Sequence, residues 1–336
     1  MEGVIETLNG VIWSNWLVYL CLGAGAYFTL VTLFLQIRCI PDMITQLKSG
    51  ESSEQGISSF QSLMMSLAGR VGVGNIAGVS TAIAFGGPGA VFWMWLVALF
   101  GSATSFIECC LAQIYKETDR DTGEYRGGPA YYIEKTYKHT KAAPFMVVYA
   151  VIFAVCMLLA TSYFLPGIQA NGVAAAVDNA WGIDVKISAA VMAVLLGAII
   201  IGGVKRIANF ASMVVPFMAG IYIIVAIVVL FANASEIPHV FGTIFRAAFD
   251  QEAAFSGMLG AAIMWGVKRG IYSNEAGQGT GPQSAAAAEV SHPAKQGFVQ
   301  AFAVYVDTLF VCSATAFMII STDMYKVFEG QSEDGA

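Results

Sequence analysis

Residues 68–82 read AGRVGVGNIAGVSTA. The stretch joins two apolar runs, SFQSLMMSLAG before it and IAGVSTAIAF after it. Neither run reaches the ~20 apolar residues that a helix needs to cross a bilayer, whereas the two joined would span one. Yet Arg70, Gly72, Gly74, Asn75 and Gly78 fall in the middle. Glycine weakens a helix interior by about 1 kcal/mol relative to alanine. A membrane helix laid through this stretch would therefore break at its centre.

The membrane reading itself rests on composition. The chain is 57% hydrophobic and 12% charged, where a soluble domain carries about 25% charged residues. Its mean hydropathy is +0.67. Runs long enough to span include WLVYLCLGAGAYFTLVTLFLQI (16–37), AVFWMWLVALFGSATSFIECCLA (90–112), PFMVVYAVIFAVCMLLATSYFL (144–165) and FASMVVPFMAGIYIIVAIVVLFA (210–232). One soluble core could hold one such run, not four with polar loops between them. The net charge of −6 points to no nucleic-acid partner. The six cysteines are scattered and form no C-x-x-C, and the three histidines have no ligand spacing, so neither a disulfide frame nor a structural metal cluster is expected. The opening MEGVIETLNG is acidic and lacks the basic start of a cleaved signal.

Eight segments emerge, at about 14–37, 60–86, 90–115, 144–166, 186–203, 208–232, 255–290 and 296–321. Lysine and arginine concentrate in alternate loops, most of all in 116–143 with Lys116, Arg120, Arg126, Lys135, Lys138 and Lys141. That bias places the N-terminus outside and the 116–143 loop in the cytoplasm. Within this loop, GGPAYYIEKTY puts Pro129 after two glycines, a helix start.

The seventh segment repeats the break of the second. After the apolar AAFSGMLGAAIMWGV comes KRGIYSNEAGQGTGPQ, which sets Lys268, Arg269, Asn274, Glu275, Gly277, Gly279, Gly281 and Pro282 where a continuous helix would run. Such backbone is tolerated in a bilayer only where protein buries it or it lines a wet cavity. The two broken segments lie five spans apart. Because five is odd, they enter the membrane from opposite faces, the pattern of an inverted repeat whose paired breaks form a transporter's binding site. Free carbonyls at a helix end suit a cation and free amides suit a carboxylate, so one break can hold Na⁺ and a zwitterion side by side. The glycines fit other readings less well. GVGNIAG follows no strand and departs from the dinucleotide fingerprint, and no phosphate loop is present. Close helix packing remains the alternative for Gly78 and Gly86.

With those motifs in hand, the chain resembles the alanine or glycine:cation symporter family, the sodium:alanine symporters. The resemblance is carried by SFQSLMMSLAGRVGVGNIAGVSTAIAFGGPGAVFWMW, YRGGPAYYIEK and GVKRGIYSNEAGQGTGPQSAAAAEVSHPAKQGFVQAFAVYVDT, and covers nearly the whole chain. It implies an all-α integral membrane bundle of the leucine-transporter type: a five-plus-five inverted repeat preceded by one extra N-terminal helix. Residues 1–336 would form a single membrane domain in the plasma membrane, with 60–232 as the first repeat and 255–321 opening the second. It further implies that the substrate sits near Asn75, Ile76, Ala77 and Gly78, with Asn274, Ala276 and Gly277 from the second break and Phe164 and Gln169 from the fourth span. The cation would be held by backbone carbonyls near Gly72, Val73 and Asn75. Family members often have threonine where this chain has Val73.

Charged residues inside the spans invite roles of their own. Asp307 lies mid-span in VYVDTLFVC, where a functional or gating role competes with a structural one. Lys268 and Arg269 beside Glu275 suggest an ion-pair lock, against helix-end snorkelling. Arg70 flanks the first break as a candidate gate, and Glu108 reads as structural. The expected function is Na⁺-coupled symport of alanine or glycine by alternating access, with no organic cofactor and no enzymatic chemistry. The alternatives are proton coupling, or a non-transporting receptor on the same fold. Spans two to six would make the first repeat and spans seven and eight open the second. The chain then runs into STDMYKVFEGQSEDGA, a polar tail. The expectation is a chain lacking the family's C-terminal third, its second repeat incomplete by three spans, which would leave Asp307 and the second break facing lipid.

Overall fold

The computed structural model describes residues 10–48, 53–249 and 258–322, with positions 3, 7 and 325. Residues 255–257 of the seventh expected span, and most of the tail, lie outside the described residues. The described chain is helical apart from one two-stranded hairpin, in which Glu117 pairs with Arg126 and Thr118 with Tyr125. Among the described residues, five helices are long and apolar enough to cross a membrane by length and composition: Gly10–Val31, Ala90–Ile114, Ala143–Trp181, Gly203–Ala232 and Pro293–Ser321.

The elements in chain order are α1 (Asn15–Val31), α2 (Leu35–Arg38), α3 (Ile40–Gln46), α4 (Ser59–Arg70), α5 (Val79–Gly86) and α6 (Ala90–Ile114). They continue as α7 (Pro129–Tyr137), α8 (Ala143–Leu159), α9 (Leu165–Trp181), α10 (Val185–Ile200), α11 (Gly203–Ala232) and α12 (Ile237–Phe249). The last are α13 (Met258–Asn274), α14 (Gly281–Ala286), α15 (Pro293–Tyr305) and α16 (Ser313–Ser321). Wide π turns link α4–α5 (Gly74–Gly78), α8–α9 (Ala160–Phe164) and α15–α16 (Val306–Cys312).

Several expected boundaries move for local reasons. The first span ends at Val31, because Leu33 and Phe34 take left-handed φ of 55° and 57°. The fourth does not stop at Pro166. Proline lacks an N–H and its ring collides with the carbonyl four residues earlier. The π turn Ala160–Phe164 widens the helix there, so α8 and α9 run on to Trp181 as one element of about 58 Å. Helix α12 is an element that the span count leaves in a loop. It turns Val240, Ile244 and Ala248, four residues apart, inward, and packs the first two with Val91 and Met94 of α6.

The core centres on α6, against which α1, α13, α14 and α15 pack. Small residues permit the close approach. A Cβ on Gly266 would stand 2.6 Å from the Trp93 Cβ, and one on Gly297 2.5 Å from the Cys110 sulfur. Only 6% of the apolar window in Ala143–Trp181 is buried and 11% of that in Gly203–Ala232, against 67% for Pro293–Ser321. The first two therefore offer their apolar side chains outward, as lipid-facing helices do.

The two broken elements, α4–α5 and α13–α14, lie side by side in opposite directions. At one end the Ile57 N–H donates to the Ala287 carbonyl at 3.0 Å and the Ser62 hydroxyl to the Ser284 carbonyl at 2.8 Å. In the middle, a Cβ on Gly74 would meet the Tyr272 ring at 3.4 Å. At the other end the Phe85 and Trp265 rings stack with centroids 4.9 Å apart.

Candidate functional site

Helix α4 begins with a capping box, in which the Ser58 hydroxyl accepts from the Gln61 N–H and the Gln61 side chain accepts from the Ser58 N–H. It ends at Arg70, where Val71 turns to extended backbone with ψ of 103°. The amides freed beyond that point are taken by side chains. The Gly72 N–H donates to Asn75 Oδ1 at 2.8 Å and the Val73 N–H to Gln169 Oε1 at 2.9 Å. A Cβ on Gly72 would sit 2.6 Å from that same Gln169 oxygen, so glycine is required for the contact. Gln169 of α9 is thereby brought to the first break. Phe164, paired with it in the sequence reading, is 59% exposed with its ring against Tyr163.

Asn75 is the hinge of the site. Its Nδ2 donates to Asp307 Oδ1 at 2.6 Å and lies 3.1 Å from the Ser273 hydroxyl. The Ser273 and Thr308 hydroxyls both donate to Asp307 Oδ2, at 2.8 and 2.9 Å. Asp307 is therefore fully buried under three donors, and no described cation lies within ion-pair distance of it. The expectation that Asp307 would face lipid is corrected. The π turn Val306–Cys312 carries it inward between the two breaks.

The second break begins at Asn274 and spans 275–280. Glu275, Gly277 and Gly279 take left-handed φ of 56°, 83° and 85°. Asn274 Oδ1 accepts from the Ala276 N–H at 3.0 Å, and Asn274 Nδ2 donates to the Thr308 hydroxyl at 3.3 Å. The Ile271 carbonyl of α13 accepts twice, from the Glu275 N–H at 2.9 Å and from Gln278 Nε2 at 2.8 Å, which ties the start of the break back onto the helix. The Gly277 N–H donates to Glu108 Oε1 of α6 at 3.1 Å. Asn274, Glu275 and Ala276 are buried in protein, which corrects the expectation of a lipid-facing break.

Arg70 Nε stands 4.0 Å from Glu275 Oε2, and that oxygen accepts from the Thr280 hydroxyl at 2.6 Å. The expected lock between Lys268 or Arg269 and Glu275 does not form. Helix α13 stays regular through both residues, so Lys268 lies seven positions and about 10 Å of helix axis before Glu275. Arg269 instead lies 5.3 Å from the Trp265 ring. The carboxylate's cation comes from the other broken helix.

Around this framework, Gly78 is buried with Asn75, Gly72 and Val73 are half-buried, and Ile76, Ala77 and Gly277 are exposed. The sequence reading passed over Ser273 and Thr308, each adjacent to a residue it named, and took Glu108 as merely structural. A cavity of about 340 Å³ reaches Ala276 and Gly277 between α1 and α6, lined by Leu17, Cys21, Phe100 and Thr104. The arrangement brings together buried amide side chains and three buried carboxylates, Asp307, Glu275 and Glu108, around the two breaks, which is equipment for holding polar groups.

The family model described as the sodium:alanine symporter family matches residues 1–336. Among curated proteins, YrbD of Bacillus subtilis (strain 168), whose assigned name is that of a sodium/proton-dependent alanine carrier, is 55% identical over all of this chain and 67% of its own length. GlnT of the same organism, whose name is that of a sodium/glutamine symporter, is 44% identical over 97% of this chain and 66% of its own. The sodium/alanine symporter AgcS of Methanococcus maripaludis is 41% identical over 98% of this chain and 72% of its own. The chain thus spans about two thirds of the length of these relatives.

Proposed function

The chain belongs to the sodium:alanine symporter family, and on that premise we propose that it carries a small neutral amino acid, alanine or glycine, across the plasma membrane with Na⁺ by alternating access. The observation that carries the reading is the pair of broken helices lying antiparallel with their breaks joined through Asn75, Ser273 and Asp307. The opposite directions of α4–α5 and α13–α14 support the inverted repeat and the leucine-transporter type of fold. The basic residues of the 116–143 loop support an N-terminus outside.

In this reading the substrate's carboxylate and amine meet Asn75, Ile76, Ala77 and Gly78 of the first break and Asn274, Ala276 and Gly277 of the second. Gln169 holds the first break's backbone in place from α9, and Phe164 stands at the outer edge. Carbonyls of Gly72, Val73 and Asn75 take the Na⁺. Arg70 with Glu275 ties the breaks together.

Uptake of labelled alanine into proteoliposomes tests the proposal. Accumulation should require an inward Na⁺ gradient and vanish when K⁺ replaces Na⁺. Uptake undiminished without Na⁺ and abolished by collapsing a proton gradient would transfer the coupling to H⁺, the second ion in the name of YrbD. Glutamine, named for GlnT, belongs among the competitors, and its competing as well as alanine would widen the substrate class.

A further inference from the structure

Three ionisable side chains converge between α4, α6 and the second break. Arg70, Glu275 and Glu108 are buried, at 2%, 8% and 7% exposure. Arg70 faces Glu275 at 4.0 Å, and Glu275 also accepts from Thr280. Glu108 is held differently. Its Oε1 accepts from the Gly277 N–H, the Gly279 backbone faces the same carboxyl, and no described cation lies within ion-pair distance of it. The Arg70 guanidinium is nevertheless close by. The position of a Cβ on Gly281 is 2.8 Å from Arg70 Nη2 and 3.7 Å from the sulfur of Cys109, Glu108's neighbour on α6. The other described titratable groups that face Glu108 are the thiol of Cys109 beside it and Tyr132 of α7.

The cluster therefore holds two carboxylates and one guanidinium. An uncompensated buried charge is costly, and a carboxyl group relieves that cost by binding a proton. Glu275 has the guanidinium and a hydroxyl; Glu108 has backbone N–H groups. We infer that Glu108 is a proton-carrying residue, which takes a proton from water when the second break opens to one side of the membrane and returns it to water on the other. No other bond is made or broken. The hydrogen bond from Gly277 is charge-assisted while Glu108 is ionised and weaker once it is protonated, so proton uptake loosens the tie between α6 and the second break.

Infrared difference spectra of the purified full chain in nanodiscs, taken across steps from mildly acidic to mildly alkaline pH, test the assignment without any transport. The expected result is a protonated-carboxyl C=O band that titrates, is lost in Glu108→Gln, and persists in Asp307→Asn and Glu275→Gln. Should Glu108→Gln fail to fold, Glu108→Asp must shift the band. A band that survives Glu108→Gln, does not move in Glu108→Asp, or is absent from the wild type at every pH overturns the inference. A second arm rests on the symport reading: wild-type uptake at a fixed Na⁺ gradient should vary with pH, and any uptake retained by Glu108→Gln should not. A titrating band with no alanine uptake by the wild type would contradict the symport reading and leave the Glu108 assignment standing.

Discussion

Asn75 concentrates the account at the scale of a single residue. Its oxygen receives an amide left free by the first break and its nitrogen reaches both the second break and Asp307. Hydrogen bonds to a charged group contribute about 1.5–3 kcal/mol. Asn75→Ala should therefore weaken alanine binding at least about tenfold, equivalent to about 1.4 kcal/mol. It should also lower the melting temperature, because the Gly72 N–H is left without a partner. A binding isotherm that overlays the wild type would reduce Asn75 to packing. The type of residue was legible in the sequence, since an asparagine inside a spanning helix has to find partners. Its distant partners were not legible: Ser273 and Asp307 lie 198 and 232 residues away on two other elements, and no spacing along the chain brings them to Asn75. Gln169 shows the same limit, because its value lies in a contact with Val73 across 96 residues.

At the scale of elements, the first break owes its form to Gly72 and Gly74, and the second to three left-handed positions, Glu275, Gly277 and Gly279, that alternate with ordinary ones. Gly279 is both left-handed and enclosed, with a Cβ there standing 2.7 Å from Pro129 and 2.8 Å from the Phe153 ring. Gly279→Ala should destabilise the chain by roughly 1–3 kcal/mol from backbone strain alone, read as a lower melting temperature in detergent; an unchanged melt would show that the loop relaxes freely. Arg70 and Glu275 join the breaks to each other. Removing one member of a buried pair typically costs about 3–5 kcal/mol, because the other is left uncompensated. Arg70→Met should therefore melt well below the wild type, and Arg70→Met with Glu275→Gln should recover most of the loss. If the double variant is no better than the single, the pair is not coupled. The two breaks were legible because glycine and proline cluster in otherwise apolar runs. The start of the second was read too early, at Lys268, because a basic pair inside a spanning segment looked like an interruption, whereas α13 carries it on a half-buried face. Helix α12 was missed because thirteen residues cannot cross a bilayer, although Val240, Ile244 and Ala248 already marked its inward stripe.

At the scale of the molecule, two antiparallel broken helices are set against a frame of α6 and α15. One Na⁺ moving down ~100 mV releases about 2.3 kcal/mol, and a tenfold gradient adds about 1.4 kcal/mol. Their sum would sustain a few-hundred-fold gradient of substrate at one-to-one coupling. Tyr272 lies against Gly74, and Trp265 is stacked on Phe85, so aromatic walls close on the glycines from one side. Extra bulk on the ligand should then cost about 1–3 kcal/mol, and leucine should compete for alanine uptake far less well than glycine does. Equal competition by leucine would contradict a pocket bounded by these rings. The central claim is that the paired breaks bind amino acid and Na⁺ as neighbours. If so, the two ligands must raise each other's affinity by the same factor. Titrating alanine into the purified chain, with Na⁺ stepped against K⁺ at constant ionic strength, measures this directly. The account predicts an alanine affinity that rises with Na⁺, and a Na⁺ affinity that rises equally with alanine. Alanine binding that is identical in Na⁺ and K⁺ would contradict it.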